Sequence, residues 1–95
     1  MLKAHAQVKT DKAARYLKAL CNHFSHKVQA TYDDNHGSVQ FGIGNCEMQA
    51  DGDTISFQVE AENAENLERV KEVVGGHFER FTGEVALKVT WQDQA

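Results

Sequence analysis

The sequence predicts an α+β domain: a two-layer sandwich with a mainly antiparallel sheet and two amphipathic helices on one face, in the order β-α-β-β-β-β-α-β. Three observations predict it. Two segments repeat apolar residues at helical spacing, and six shorter ones alternate apolar with polar residues. Nearly every alternating segment has one apolar side, so the sheet has one covered face and one wet face. The central strands join through short turn-forming stretches, which makes them antiparallel neighbours. At 95 residues the chain reads as a single domain, 1–95.

The first strand runs over Ala4–Lys9, where Ala4, Ala6 and Val8 alternate with His5, Gln7 and Lys9. Thr10 offers a hydroxyl cap, and Asp11 places an acid in the first turn of the helix that follows. That helix extends to about His26, with Ala13, Leu17, Leu20, Phe24 and Val28 on one stripe and Cys21 beside it. Val28, Ala30 and Tyr32 form the apolar side of a second strand. Asp33–Gly37 is a turn by composition.

Val39 and Phe41 belong to a third strand, which Gly42-Ile43-Gly44 interrupts as a bulge or bend. Cys46, Met48 and Ala50 continue the alternation in a fourth strand. Asp51-Gly52-Asp53 is a hairpin turn, and Ile55, Phe57, Val59 and Ala61 line a fifth strand. Asn63 or a neighbour caps the second helix, whose stripe is Leu67, Val70, Val74, Phe78 and Phe81. The pair Gly75-Gly76 lies inside it and either kinks it or lets another backbone approach. Gly83 marks its stop, and Val85–Trp91 reads as the last strand.

Composition excludes several function classes. A net charge of −4, with ten Lys and Arg scattered among fourteen acids, lacks the basic stripe of a nucleic-acid binder. No apolar run approaches the ~18 residues of a membrane span, and the first residues lack the apolar core of a signal peptide. Two cysteines are too few for a disulfide framework. The expectation is a cytoplasmic protein with reduced thiols, in which Cys21 and Cys46 are buried structural residues.

Chemistry concentrates on the helices. Residues three and four apart on a helix are neighbours, so His23 borders both His26 and Lys27. Tyr16, His23 and Lys27 line one flank of the first apolar stripe, and His26 points further towards solvent. On the second helix His77 adjoins the stripe, and Arg80 lies on the same side one turn on. If the helices pack side by side, His23, Lys27, His77 and Arg80 converge in a basic pocket suited to an anion such as a carboxylate, a phosphate or an anionic iron chelate. Two other readings stay open for the histidines: a local hydrogen bond at the edge of the core, or metal ligation.

The spacing His23-x-x-His26 supplies only two ligands, and no Cys-x-x-Cys or His-Glu-x-x-His pattern accompanies it, so no metal or cofactor is expected. The Gly42–Gly44 segment lacks the helix and lysine of a phosphate loop. The acids Asp33, Asp34, Asp51 and Asp53 sit in turns without a calcium-loop pattern. No nucleophile, base and orienting group line up, so no catalytic residue is assigned, and a binding role is favoured over an enzyme.

The run His5-Ala6-x-Val8-x-Thr10, followed by Ala14-Arg15-Tyr16-Leu17-Lys18-x-Leu20-Cys21-x-His23-Phe24-x-His26-Lys27, resembles a small bacterial domain-of-unknown-function family, number 2218. So do Phe41-Gly42-x-Gly44 and the ending His77-Phe78-Glu79-Arg80-Phe81 with Val89-x-Trp91. The resemblance covers nearly the whole chain and implies one small α+β domain with no assigned activity. It brings no established catalytic residues; the family motif falls on Arg15, Tyr16, His23, His26, Lys27, His77, Glu79 and Arg80. Related domains are joined to or found near siderophore-interacting, ferric-siderophore reductase proteins. The implied role is an accessory module in iron acquisition that binds a siderophore or another anionic small molecule, with a reductase as partner. The alternative is a protein-interaction or dimerisation module without ligand chemistry.

Overall fold

The computed structural model describes residues 1–82 and 89–94. Its elements are β1 (Leu2–Lys9), α1 (Ala13–Ser25), β2 (Gln29–Tyr32), β3 (His36–Gln40), β4 (Asn45–Asp51), β5 (Thr54–Ala61), α2 (Ala64–Thr82) and β6 (Gln92–Gln94). This is the α+β order expected from the sequence. The six strands form one sheet in the order β2-β3-β4-β5-β1-β6, and every neighbouring pair is antiparallel. The chain therefore leaves β1 near one edge, crosses the sheet in α1, and re-enters as the opposite edge strand β2.

In β1, β4 and β5 the alternation read from the sequence is the alternation observed; in the edge strand β2 it is not, and Tyr32 is exposed. Ala4, Ala6 and Val8 of β1, Cys46, Met48 and Ala50 of β4, and Ile55, Phe57, Val59 and Ala61 of β5 are all buried. They meet Leu17, Leu20, Cys21 and Phe24 of α1 and Leu67, Val70, Val74 and Phe78 of α2 in one core. Phe57 and Phe78 join the two layers edge to face, with ring centroids 5.3 Å apart. The opposite face carries polar cross-strand neighbours, including the row Ser38, Glu47, Gln58 and His5. No helix among the described residues is long and apolar enough to cross a membrane.

Several boundaries differ from expectation, each for a local reason. Thr10 does not cap α1: its Oγ1 accepts a hydrogen bond from the Lys12 amide at 3.2 Å, and the helix starts after Lys12 without a side-chain cap. Asn63 does cap α2, its Oδ1 accepting from the Asn66 amide at 2.9 Å. Gly42-Ile43-Gly44 is not a bend within a strand. It is the β3–β4 hairpin turn, closed by the Phe41 amide donating to the Gly44 carbonyl at 2.8 Å. Gly42 takes φ 86° there, as Gly52 takes φ 61° in the β4–β5 hairpin, and both values favour glycine.

Gly37 belongs to β3 rather than to the preceding turn. That turn is made instead by Asp33, whose Oδ1 accepts from the amides of Asn35 and His36 at 3.0 and 2.8 Å. Of the last strand expected over Val85–Trp91, residues 85–88 lie outside the described residues, as does the Gly83 stop. Val89–Trp91 are not in a strand, and β6 pairs with β1 three residues on. A buried lysine accounts for this register. The Lys71 ammonium donates to Glu68 at 2.6 Å and to Asp93 at 2.5 Å, which ties β6 to α2.

Candidate functional site

The two helices end close together, and their last turns build a hollow. On α1, His23 is one turn beyond Leu20, and Lys27 follows in the turn just past the helix end. On α2, His77 follows Val74 by three positions; Arg80 and Phe81 follow His77 by three and four. His23, Lys27, His77, Arg80 and Phe81 together line an open hollow of about 440 Å³. The cationic set expected from the sequence is thus brought together in space.

Aromatic rings form its wall. The His23 and His77 centroids are 5.0 Å apart, and Phe81 stands edge-on to His23 at 5.4 Å. Phe24 lies behind, 5.2 Å from His77. The Nδ1 of His77 donates to the Val73 carbonyl at 2.7 Å, one turn back, which leaves Nε2 as the ring's other polar atom. Arg80 Nη2 is 3.5 Å from that same Nδ1, whose proton is already engaged. The guanidinium is therefore a neighbour of the imidazole and not its partner.

His23 Nε2 is enclosed and has no hydrogen-bond partner. Loss of hydration holds the His23 imidazole below its ordinary value of 6.5, and the charges of His77, Lys27, His26 and Arg80 push in the same direction. Among the described residues neither Lys27 nor Arg80 forms an ion pair; the pairs formed involve Lys3, Lys9, Lys18, His36, Arg69 and Lys71. Two unpaired cations beside a neutral imidazole leave the hollow electropositive in a protein of net charge −4.

Two of the residues singled out from the sequence lie apart from this group. Tyr16 does not line the hollow; its ring packs edge-on against Phe78 at 5.8 Å, further into the helix–helix contact. His26 caps α1 and is exposed. Glu79, which falls in the family motif, turns the other way and accepts the Val89 amide at 2.9 Å.

Sequence reasoning missed Phe81. Its spacing assigns it to the buried stripe of α2, yet it is 42% exposed. Its ring stands against His23 and lines the hollow. The signal that points to it is its position one turn past His77. Lys71 was missed as well, because a lysine in the charged run Glu68, Arg69, Lys71 and Glu72 reads as surface. It is 8% exposed. Among the described residues no third His, Cys, Asp or Glu joins His23 and His77 as a possible metal ligand.

Fold and site together define a small antiparallel α+β domain with two helices on one face and a cationic, aromatic-walled hollow at their shared end. Residues 5–92 match the family described as "Uncharacterized protein conserved in bacteria (DUF2218)", and the chain belongs to that family. Its architecture is similar to that of PA4090 from Pseudomonas aeruginosa, solved by NMR, at 30% sequence identity and a TM-score of 0.82, with 97% of this chain and 96% of that one covered. No curated protein matches.

Proposed function

We propose that this domain is an accessory module that binds a small anion of the ferric-siderophore type, with Lys27 and Arg80 as its charged contacts and His23 and His77 as its polar wall. One observation carries the reading: two cations without ion pairs among the described residues, Lys27 just past the end of α1 and Arg80 in the last turn of α2, meet at one hollow. Lysine and arginine on a helix surface are normally solvated or paired along their own helix, as Arg69 is with Glu65 at 3.3 Å. Convergence from two helices on a concave, partly apolar wall is what an anion site requires. The link to iron acquisition rests on the resemblance to domains joined to siderophore-interacting proteins. Tyr16 and His26 lie apart from the hollow and are assigned no contact in it.

The test is a heteronuclear NMR titration with inorganic phosphate, ferric citrate and a ferric catecholate at constant ionic strength. The expected result is shift or broadening centred on His23, Lys27, His77, Arg80 and Phe81, lost in the double variant Lys27→Gln, Arg80→Gln. If none of the three anions moves these residues in the folded protein, the reading is wrong. If phosphate and the iron chelates perturb them alike, anion binding stands and the assignment to iron falls.

A further inference from the structure

We propose that the hollow between the helix ends selects an aromatic monocarboxylate, with its ring against Phe81 and its carboxylate between Lys27 and Arg80. This rests on the anion-binding part of the reading above, not on its assignment to iron, and puts a different ligand class in place of the ferric chelate.

Charge favours a monoanion. Both helices present their C-terminal ends here: His23 lies in the last turn of α1 with Lys27 just past its end, and Arg80 and Phe81 lie in the last turn of α2, one turn beyond His77. Each helix C-terminus carries roughly half a negative charge. Lys27 and Arg80 offset about one unit of it between them, leaving about one positive charge from the fixed cations. A single carboxylate neutralises that remainder. A dianion would overshoot it, beside carbonyl ends that already repel it.

Phe81 favours a ring. Among the described residues the exposed large hydrophobics are Met1, Leu2, Tyr32 and Phe81, and Phe81 is the one beside unpaired cations. Its ring is continuous with an aromatic series: Phe81 to His23 at 5.4 Å, His23 to His77 at 5.0 Å, His77 to Phe24 at 5.2 Å. A planar ligand extends this series by edge or offset contact and covers apolar surface that now faces water. The planar fork of Arg80 presents its donors to the carboxylate, not to the ring. A site for an inorganic anion would have no use for the exposed phenyl wall.

The experiment compares benzoate, cyclohexanecarboxylate, acetate, benzyl alcohol and inorganic phosphate by NMR titration of the whole chain at fixed ionic strength. Benzoate is expected to bind roughly threefold to tenfold tighter than cyclohexanecarboxylate, the increment of one aromatic contact, and more tightly than acetate or phosphate. Phe81→Ala, at an exposed position, is expected to erase the preference for the ring while the protein stays folded by circular dichroism. Lys27→Gln with Arg80→Gln is expected to abolish benzoate binding. Equal affinity for benzoate, acetate and phosphate would overturn the aromatic selectivity and leave the anion reading intact. Equal affinity for benzoate and benzyl alcohol would overturn the carboxylate contact. No binding by any anion would overturn both readings.

Discussion

The His23 imidazole lies 5.0 Å from that of His77, with its own Nε2 enclosed and unpartnered. A proton on His23 would sit among Lys27, His26, His77 and Arg80, and among the described residues no carboxylate stands beside them to receive it. In the folded state the ring therefore holds its proton less well than in the unfolded chain, where the ordinary value is 6.5. The unfolded state binds more protons, so this group makes stability fall as pH drops below about 6.5.

Thermal unfolding followed from pH 8 to pH 5 is expected to show that loss in the wild type and a flatter profile in His23→Gln. An anion that binds the hollow raises the affinity of His23 for its proton. The gain in Tm from added benzoate should then grow as pH falls. A pH profile identical in the two proteins would remove His23 from this role.

Both thiols are expected to be slow. Loss of hydration, with a contribution from Glu47, pushes Cys21 up to about 11, and burial raises Cys46 well above its ordinary range. With a disulfide reagent at pH 8, native protein should react only as fast as it opens, and denatured protein at once. Prompt reaction of one thiol per native chain would contradict the burial of both.

Glycine substitutions should separate by position. A Cβ at Gly37 would collide with the Cys21 sulfur, which is how closely β3 and α1 approach. Gly37→Ala is expected to destabilise by about 1–3 kcal/mol, the range for overpacking. At Gly76, inside α2, a Cβ meets nothing within 4 Å. Gly76→Ala should stabilise by about 0.5–1 kcal/mol, because alanine is the better helix former. Urea unfolding measures both.

Lys71 ties β6 to α2 through Asp93 and Glu68. Burial alone would weaken its hold on the proton, but the two carboxylates outweigh it and its affinity is raised. Lys71→Met keeps most of the stem and loses the ammonium; it should cost about 1 kcal/mol, since the carboxylates are largely solvated. Faster amide exchange confined to Gln92–Gln94 is the accompanying signature. Unchanged exchange there would show that β6 is held by its pairing with β1 alone.

Residue order by itself determined the class of fold, because facing is a local property. The period of two in β1, β4 and β5 and the helical period in α1 and α2 each follow from a few consecutive residues. Asn63 as a cap and Asp51-Gly52-Asp53 as a hairpin were legible for the same reason. The convergence of His23, Lys27, His77 and Arg80 was expected only on the condition that the helices lie side by side.

Tertiary structure decided that condition. It placed β2 and β1 on opposite sides of β3, β4 and β5 and joined β6 to the outside of β1, which no local pattern encodes. It set Phe81 at the hollow, exposing a ring that the stripe predicted to be buried. It buried Lys71 because Asp93 arrives from a distant strand. Local sequence sets which side of an element is apolar; only long-range packing sets what that side meets. The order of six strands and two helices was therefore readable in advance; the place of β6 and the way the helix ends build a hollow were not.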